Sequence, residues 1–109
     1  MAKHYRLSSN ELRELATGHG FCVVSDLITI EGEPVRYMYR DQPEDEQDSG
    51  WRFFAGTESD TYIDNPKNFS LLDVNVVANY DESIIPLLKS PVGAAFDKED
   101  GVFYDASDE

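Results

Sequence analysis

Gly50-Trp51-Arg52-Phe53-Phe54-Ala55-Gly56 holds the one tryptophan and two of the six phenylalanines of this chain between two glycines. Successive side chains of a β-strand point to opposite faces, so Trp51, Phe53 and Ala55 fall on one side and Arg52 and Phe54 on the other. Aromatics on both sides place such a strand in the middle of a sheet. Trp51 and Phe53 are expected in the core, together with Val23 and Leu88. Arg52 points the other way as a planar fork among many carboxylates, so it should either pair with an Asp or Glu of this chain or meet a partner.

Upstream, residues 40 to 49 carry Asp41, Glu44, Asp45, Glu46 and Asp48 around Pro43 with no apolar side chain among them. They read as an exposed, solvated loop whose acids can be removed with little effect on folding. The alternating ligands and terminal Glu of a calcium-binding EF-hand loop are missing. Further back, Phe21 to Ile30 is rich in β-branched and aromatic residues and reads as a strand bent near Ser25-Asp26. Glu31-Gly32-Glu33-Pro34 then supplies a turn, and Val35-Arg36-Tyr37-Met38-Tyr39 a second strand, with Val35, Tyr37 and Tyr39 on one face. The spacing predicts a hairpin. Ser8 and Glu11 form a capping-box pair for a short helix carrying Leu12 and Leu15 and stopping at Gly18.

Downstream, Glu58 to Asp64 fits one helical turn before Asn65-Pro66, and Leu71 to Val77 is open between helix and strand. The Asn and Asp side chains of residues 73 to 81 are expected to bond their local backbone. Asp81-Glu82-Ser83 starts a helix through Leu88 with Pro86 in its first turn. Val92 to Phe96 and Val102 to Tyr104 close the fold as short strands around Asp100-Gly101, and residues 106 to 109 read as a frayed acidic tail. The fold class is α+β: a small single domain over residues 1–109, mainly antiparallel sheet with a few short helices.

Composition limits function. Twenty-two Asp and Glu against 9 Lys and Arg give a net charge of −13, which repels phosphates and attracts basic surfaces, so direct nucleic-acid binding is not expected. No stretch approaches the roughly 20 apolar residues that cross a bilayer, and Met1-Ala2-Lys3-His4-Tyr5-Arg6-Leu7 has no apolar segment behind it. A cytoplasmic location with no membrane contact is the expectation. Cys22 is the single cysteine, set among Phe21, Val23 and Val24, and reads as a buried thiol. The histidines, His4 and His19, have no nucleophile elbow, metal-ligand spacing or phosphate loop around them. No catalytic residue, metal ligand or cofactor is assigned, and the chain reads as a non-enzymatic binding module.

Tyr37-Met38-Tyr39-Arg40, the acidic loop into Gly50-Trp51-Arg52-Phe53, Tyr62-Ile63-Asp64-Asn65-Pro66, Asn79-Tyr80-Asp81, Ile84-Ile85-Pro86-Leu87-Leu88 and Ser90-Pro91-Val92-Gly93 carry a resemblance. Over about residues 20 to 105 the chain resembles a bacterial family first catalogued as a domain of unknown function. That family was later proposed, from its place beside toxin genes, to be immunity proteins of polymorphic toxin systems. The resemblance implies a small α+β domain and toxin neutralisation, with no catalytic residues to carry over. The partner would be a protein, a basic toxin such as a nuclease, steered by the acidic loop and contacted through Trp51, Phe54 or nearby aromatics. Partner-contact candidates are Asp41, Glu44, Asp45, Glu46, Asp48, Arg52, Phe54 and Tyr80. The alternative is a housekeeping or regulatory domain that binds a small ligand or another protein.

Overall fold

The computed structural model describes residues 3 to 106; of the expected tail, Ser107-Asp108-Glu109 lies outside the described residues, and Ala106 is tied down, its amide donating to the Ala95 carbonyl at 2.7 Å. Among the described residues, six strands form one sheet: β1 (Phe21–Ser25), β2 (Tyr37–Arg40), β3 (Asp48–Phe54), β4 (Phe69–Asp73), β5 (Ala95–Glu99) and β6 (Val102–Asp105). Their order is β4-β1-β3-β2-β5-β6. The β1–β3 pair is parallel and the other four pairs are antiparallel. The helices α1 (Asp26–Thr29), α2 (Asp60–Ile63) and α3 (Val74–Tyr80) are short, as are the 3₁₀ segments at Ser9–Glu11, Pro66–Asn68 and Glu82–Leu87. The architecture is α+β, and β3 is central as its two-sided aromatic content requires.

The expected hairpin does not form. β3 lies between β1 and β2, pairing Val23 with Arg52 on one side and Tyr39 with Arg52 on the other. Two local choices separate the two strands. Ser25 leaves the strand and caps α1, its Oγ accepting from the Leu27 amide at 3.2 Å. Ile28 and Thr29 then become fully buried in helical conformation, so burial outweighs the β preference of these branched side chains. The turn at residues 31 to 34 therefore joins a helix to a strand, and Val35 is buried just before β2 rather than beside Tyr37 and Tyr39. The segment left open downstream divides at Asp73: β4 ends there, and its carboxylate accepts the Asn75 amide at 2.8 Å to start α3.

The core lies on one face of the sheet, under α1, α3 and the 3₁₀ segment Glu82–Leu87. Cys22, Val24, Met38, Trp51 and Phe53 face it and are fully buried, and Leu88 is almost so. The Trp51 indole donates to the Leu88 carbonyl at 3.1 Å, which satisfies its one polar atom inside the apolar layer. Val23, expected among them, is half-buried on the opposite face, because Cys22 and Val24 take the inward positions of β1. Residues 82 to 87 wind as 3₁₀ rather than α-helix, with Pro86 inside and Asp81 capping the Ser83 amide. β5 and β6 form the closing hairpin, with β5 starting later than expected, at Ala95.

The N-terminal segment is tied down from a distance. Asn75 Oδ1 accepts from the Leu15 and Ala16 amides at 2.7 and 2.8 Å, and its Nδ2 donates to the Arg13 carbonyl at 2.8 Å. Asn79, one turn further along α3, accepts from the Arg13 amide at 2.8 Å and donates to the same carbonyl at 2.9 Å. The local bonds expected of this segment form at Asp73, at Asp81 and between Asn79 Nδ2 and the Asn75 carbonyl at 2.8 Å; Asn75 and Asn79 in addition bond backbone some sixty residues away. The capped turn at Ser9–Glu11 does not continue as a helix through Leu15: Leu12 is already extended, and the amides of Leu15 and Ala16 are bonded by Asn75. Glu11 still reaches back to the Ser8 amide at 2.8 Å.

Candidate functional site

The second face of the sheet carries no helix over its middle. Alternation puts Tyr37 and Tyr39 of β2, Arg52 and Phe54 of β3, Val23 of β1, and Phe69 and Leu71 of β4 on this side, matching the cross-strand register. Tyr39 stacks on Phe54 at 5.9 Å and 13°, Tyr37 tilts against both at 5.8 Å, and Phe69 meets Phe54 edge-on at 5.7 Å. The four rings are half-buried, and Tyr62 of α2 also meets Phe69 edge-on at 5.9 Å.

Beside them the surface sinks into a groove of about 620 Å³ walled by Val23, Phe54, Ile63, Pro66, Phe69 and Leu71, with Tyr39 and Arg52 also lining it. Leu71 is 67% exposed and Ile63 44%, a large apolar exposure for an edge strand and a one-turn helix. The lip is built by capping. Ser59 accepts the Tyr62 amide at 3.1 Å, and Asn65 accepts the Lys67 amide at 3.0 Å. Asn68 and Tyr62 then cross-bond, amide to carbonyl at 2.9 Å and hydroxyl to carbonyl at 3.3 Å, which fixes Ile63 and Pro66 at the rim.

Arg52 is held within the chain. Its Nη1 and Nη2 each donate to an Asp48 carboxylate oxygen at 3.1 Å, and Nη1 also reaches the Trp51 carbonyl at 3.0 Å. Four strand residues normally span about 13 Å, so this grip needs a kink. Gly50 provides it with φ of 87°, and between the Phe21–Asp48 and Val23–Arg52 pairings β1 advances two residues while β3 advances four. A Cβ at Gly50 would collide with the Asp41 carbonyl. The Arg52 hydrogen bonds hold the Asp48 carboxyl well below the usual carboxylate range, and the same bonds push the Arg52 guanidinium up.

The acidic loop is therefore not merely solvated. Asp48 accepts from the Glu44 amide at 2.9 Å and the Gly50 amide at 2.9 Å, and Asp45 from the Gln47 and Asp48 amides at 2.8 and 3.0 Å. Asp41 accepts from the Gln42 amide at 2.8 Å. Asp41, Glu44, Asp45 and Glu46 are exposed while Asp48 is half-buried, so Asp45 and Asp48 build the turn that the other acids ride on. Between this turn and β1 lies a second, smaller depression of about 230 Å³, lined by Glu44, Asp45, Asp48 and Arg52 together with Phe21, Val23 and Leu71.

The other candidates divide. Phe54 lies in the groove. Trp51 is sealed in the core and offers no contact surface. Tyr80 sits on α3, on the helical side, donating to the Thr29 carbonyl and accepting from the Leu7 amide, each at 2.9 Å; its hydroxyl is engaged in joining α1 and the N-terminal segment. Asp81 accepts from Lys98 at 2.7 Å and from the Val35 amide at 2.9 Å. Sequence reasoning missed Val23, Tyr39, Ile63, Phe69 and Leu71 as surface. The signal for Tyr39 was present in the alternation of β2, but Val23, Phe69 and Leu71 needed the strand order.

Burial, reinforced by the Asp73 carboxylate, pushes the Cys22 thiol up and away from a reactive thiolate. Among the described residues no group of three His, Cys, Asp or Glu is placed to hold a metal ion, and no helix is long and apolar enough to cross a membrane.

The molecule is a small α+β domain with one face of its sheet packed under helices and the other largely uncovered, aromatic and edged with acid. The chain belongs to the Imm33 immunity protein family: the immunity protein Imm33 domain matches residues 22–106. That membership gives it a role in toxin immunity, with a toxin protein as partner. No curated protein and no solved structure matches it significantly.

Proposed function

We propose that this protein neutralises a basic bacterial toxin by direct binding, without catalysis, through the uncovered face of its sheet. The observation that carries the reading is the coincidence, on one surface, of an exposed apolar groove and an acid-rich rim on a chain of net charge −13. Interfaces take their energy from a few desolvated apolar and aromatic anchors, and their association rate from complementary charge. A nuclease fits best among toxins, because an enzyme that grips phosphates carries a basic active-site surface to which an acidic protein is drawn. The protein would act in the cytoplasm, where such a toxin finds its substrate.

The test is co-expression in a bacterial host with the toxin recovered on this protein from its native host. Growth should be restored, and the two chains should purify together with an association rate that falls steeply with salt. A toxin that kills regardless, or one silenced without forming a complex, removes direct neutralisation from consideration.

A further inference from the structure

Resting on that reading, the geometry points to a two-part contact: we infer that the partner presents an apolar side chain, received by the groove, directly beside a lysine or arginine, received by the depression between the acidic turn and β1. The two hollows are adjacent by construction, since Val23, Arg52 and Leu71 line both. Val23 and Leu71 are register partners on neighbouring strands and form the ridge between them. A partner covering Leu71 must fill both sides of that ridge.

The chemistry of the two hollows differs. The groove offers mainly aliphatic and aromatic walls, with Asp64 and Ser70 also lining it, has space for a side chain as large as tryptophan, and its open rim suits a protruding residue of a protein more than an enclosed small molecule. In the smaller depression the one cation, Arg52, is cancelled by the Asp48 carboxylate, both of whose oxygens it occupies. Glu44 and Asp45 remain there as net negative charge at exposed positions. A cation set against them is compensated, whereas an acidic side chain would be repelled. The same charge disfavours a second copy of this chain as occupant, because two acidic rims would be brought together.

The experiment uses the full chain, isotope-labelled, titrated in solution with three capped tripeptides: Arg-Trp-Arg, Glu-Trp-Glu and Arg-Ser-Arg. Arg-Trp-Arg should shift the Val23 and Leu71 methyl signals and the Glu44 and Asp45 amides, and bind at least about threefold more tightly than either control. Leu71→Ser, at a rim position that folding does not need, should abolish the preference for Trp over Ser; Glu44→Gln should reduce the preference for Arg over Glu. Equal binding of the acidic and basic peptides overturns the cationic half. Equal binding of the Trp and Ser peptides overturns the apolar half, and shifts centred elsewhere, or no shifts, overturn both. Concentration-dependent Leu71 shifts without peptide, with a dimer in sedimentation, would make a second copy the occupant and also overturn the inference. If the toxin is not neutralised yet the peptides bind as expected, the immunity reading fails while the two-part contact stands.

Discussion

The two faces of the sheet are made from the same strands, often from adjacent residues, and have opposite fates. Trp51 and Phe53 are fully buried, while Arg52 and Phe54, each one residue further along, stay half-buried on the bare face. Cys22 and Val24 lie inside and Val23 outside; Met38 lies inside and Tyr37 and Tyr39 outside. Composition does not separate the faces, since both are aromatic. What separates them is cover: α1, α3 and the 3₁₀ segment Glu82–Leu87 all pack on one side, and on the other the rings meet one another and, at one edge, Tyr62, Ile63 and Pro66. Exposed apolar patches of this kind commonly mark interaction surfaces in proteins.

The comparison breaks most visibly on the covered side. Trp51→Ala empties the largest buried position and strands the Leu88 carbonyl, and should destabilise by about 3 to 5 kcal/mol, measured as a shift of the urea midpoint in a single cooperative transition. Wild-type-like stability would mean that the covered face is not the core.

Next comes Asp81→Ala, which strips the partner from Lys98 and an acceptor from the Val35 amide. Both side chains of the pair are only 11% exposed, so a loss of about 2 to 4 kcal/mol is expected from the same measurement. The pair also has a pH signature. Burial raises the Asp81 pKa, but the hydrogen bonds from Lys98, Ser83 and Val35 outweigh it and the net shift is downward; Asp48 is lowered as well. Carboxyls with depressed folded pKa values stabilise above their ordinary value of 3.8, and that contribution is lost as pH falls through the folded values. Thermal midpoints should therefore drop as pH is taken below about 4, and less steeply in Lys98→Met, where one of the lowering bonds is gone.

Smaller again is Asn75→Ala. It removes three hydrogen bonds that hold residues 13 to 16 and should cost about 1 to 2 kcal/mol, with amide exchange rising at Leu15 and Ala16 ahead of the sheet. Equal exchange would mean that the segment is held without Asn75, with Asn79 and its bonds to Arg13 sufficient.

The smallest effect on folding belongs to the bare face. Leu71→Ser should change stability by no more than about 0.5 kcal/mol while weakening the complex with toxin, a split read from a melt and a binding isotherm on the same sample. Neutralising Glu44 and Glu46 together should slow association and flatten its salt dependence without lowering the melting midpoint. Extending the change to Asp45 and Asp48 should lower it, because those two carboxylates cap amides and hold Arg52. A melting midpoint indifferent to Asp48 would sink the distinction between structural and steering acids.

Much of this was legible one residue at a time. The period-two pattern of Trp51 to Phe54 assigned each side chain to a face, two-sided aromatic content put β3 in the centre, and the glutamate and aspartate excess gave the surface its sign. The core role of Leu88 and the burial of Cys22 followed from their apolar neighbours. The groove was much less legible, because it is not a segment: Val23, Phe54, Ile63 and Leu71 meet only once β4 has paired with β1 and β1 with β3. Arg52 was left between an internal pair and a partner, and nothing local indicated that a kink at Gly50 would bring Asp48 within reach.

The sequence by itself determined periodicity, charge and the identity of the strongest strand, all of which are local or additive properties of the chain. Only the tertiary structure decided which strands became neighbours, and so which apolar residues were covered. Two adjacent strands can close a hairpin cheaply. Here, capping at Ser25 turned the second half of one of them into a helix, and the seven-residue β3 entered between them. The same long-range choice sent Asn75 and Asn79 to the N-terminal segment and left Leu71 in the open. Pairing partners are chosen by the total surface buried across the molecule, a quantity that no single window of sequence contains.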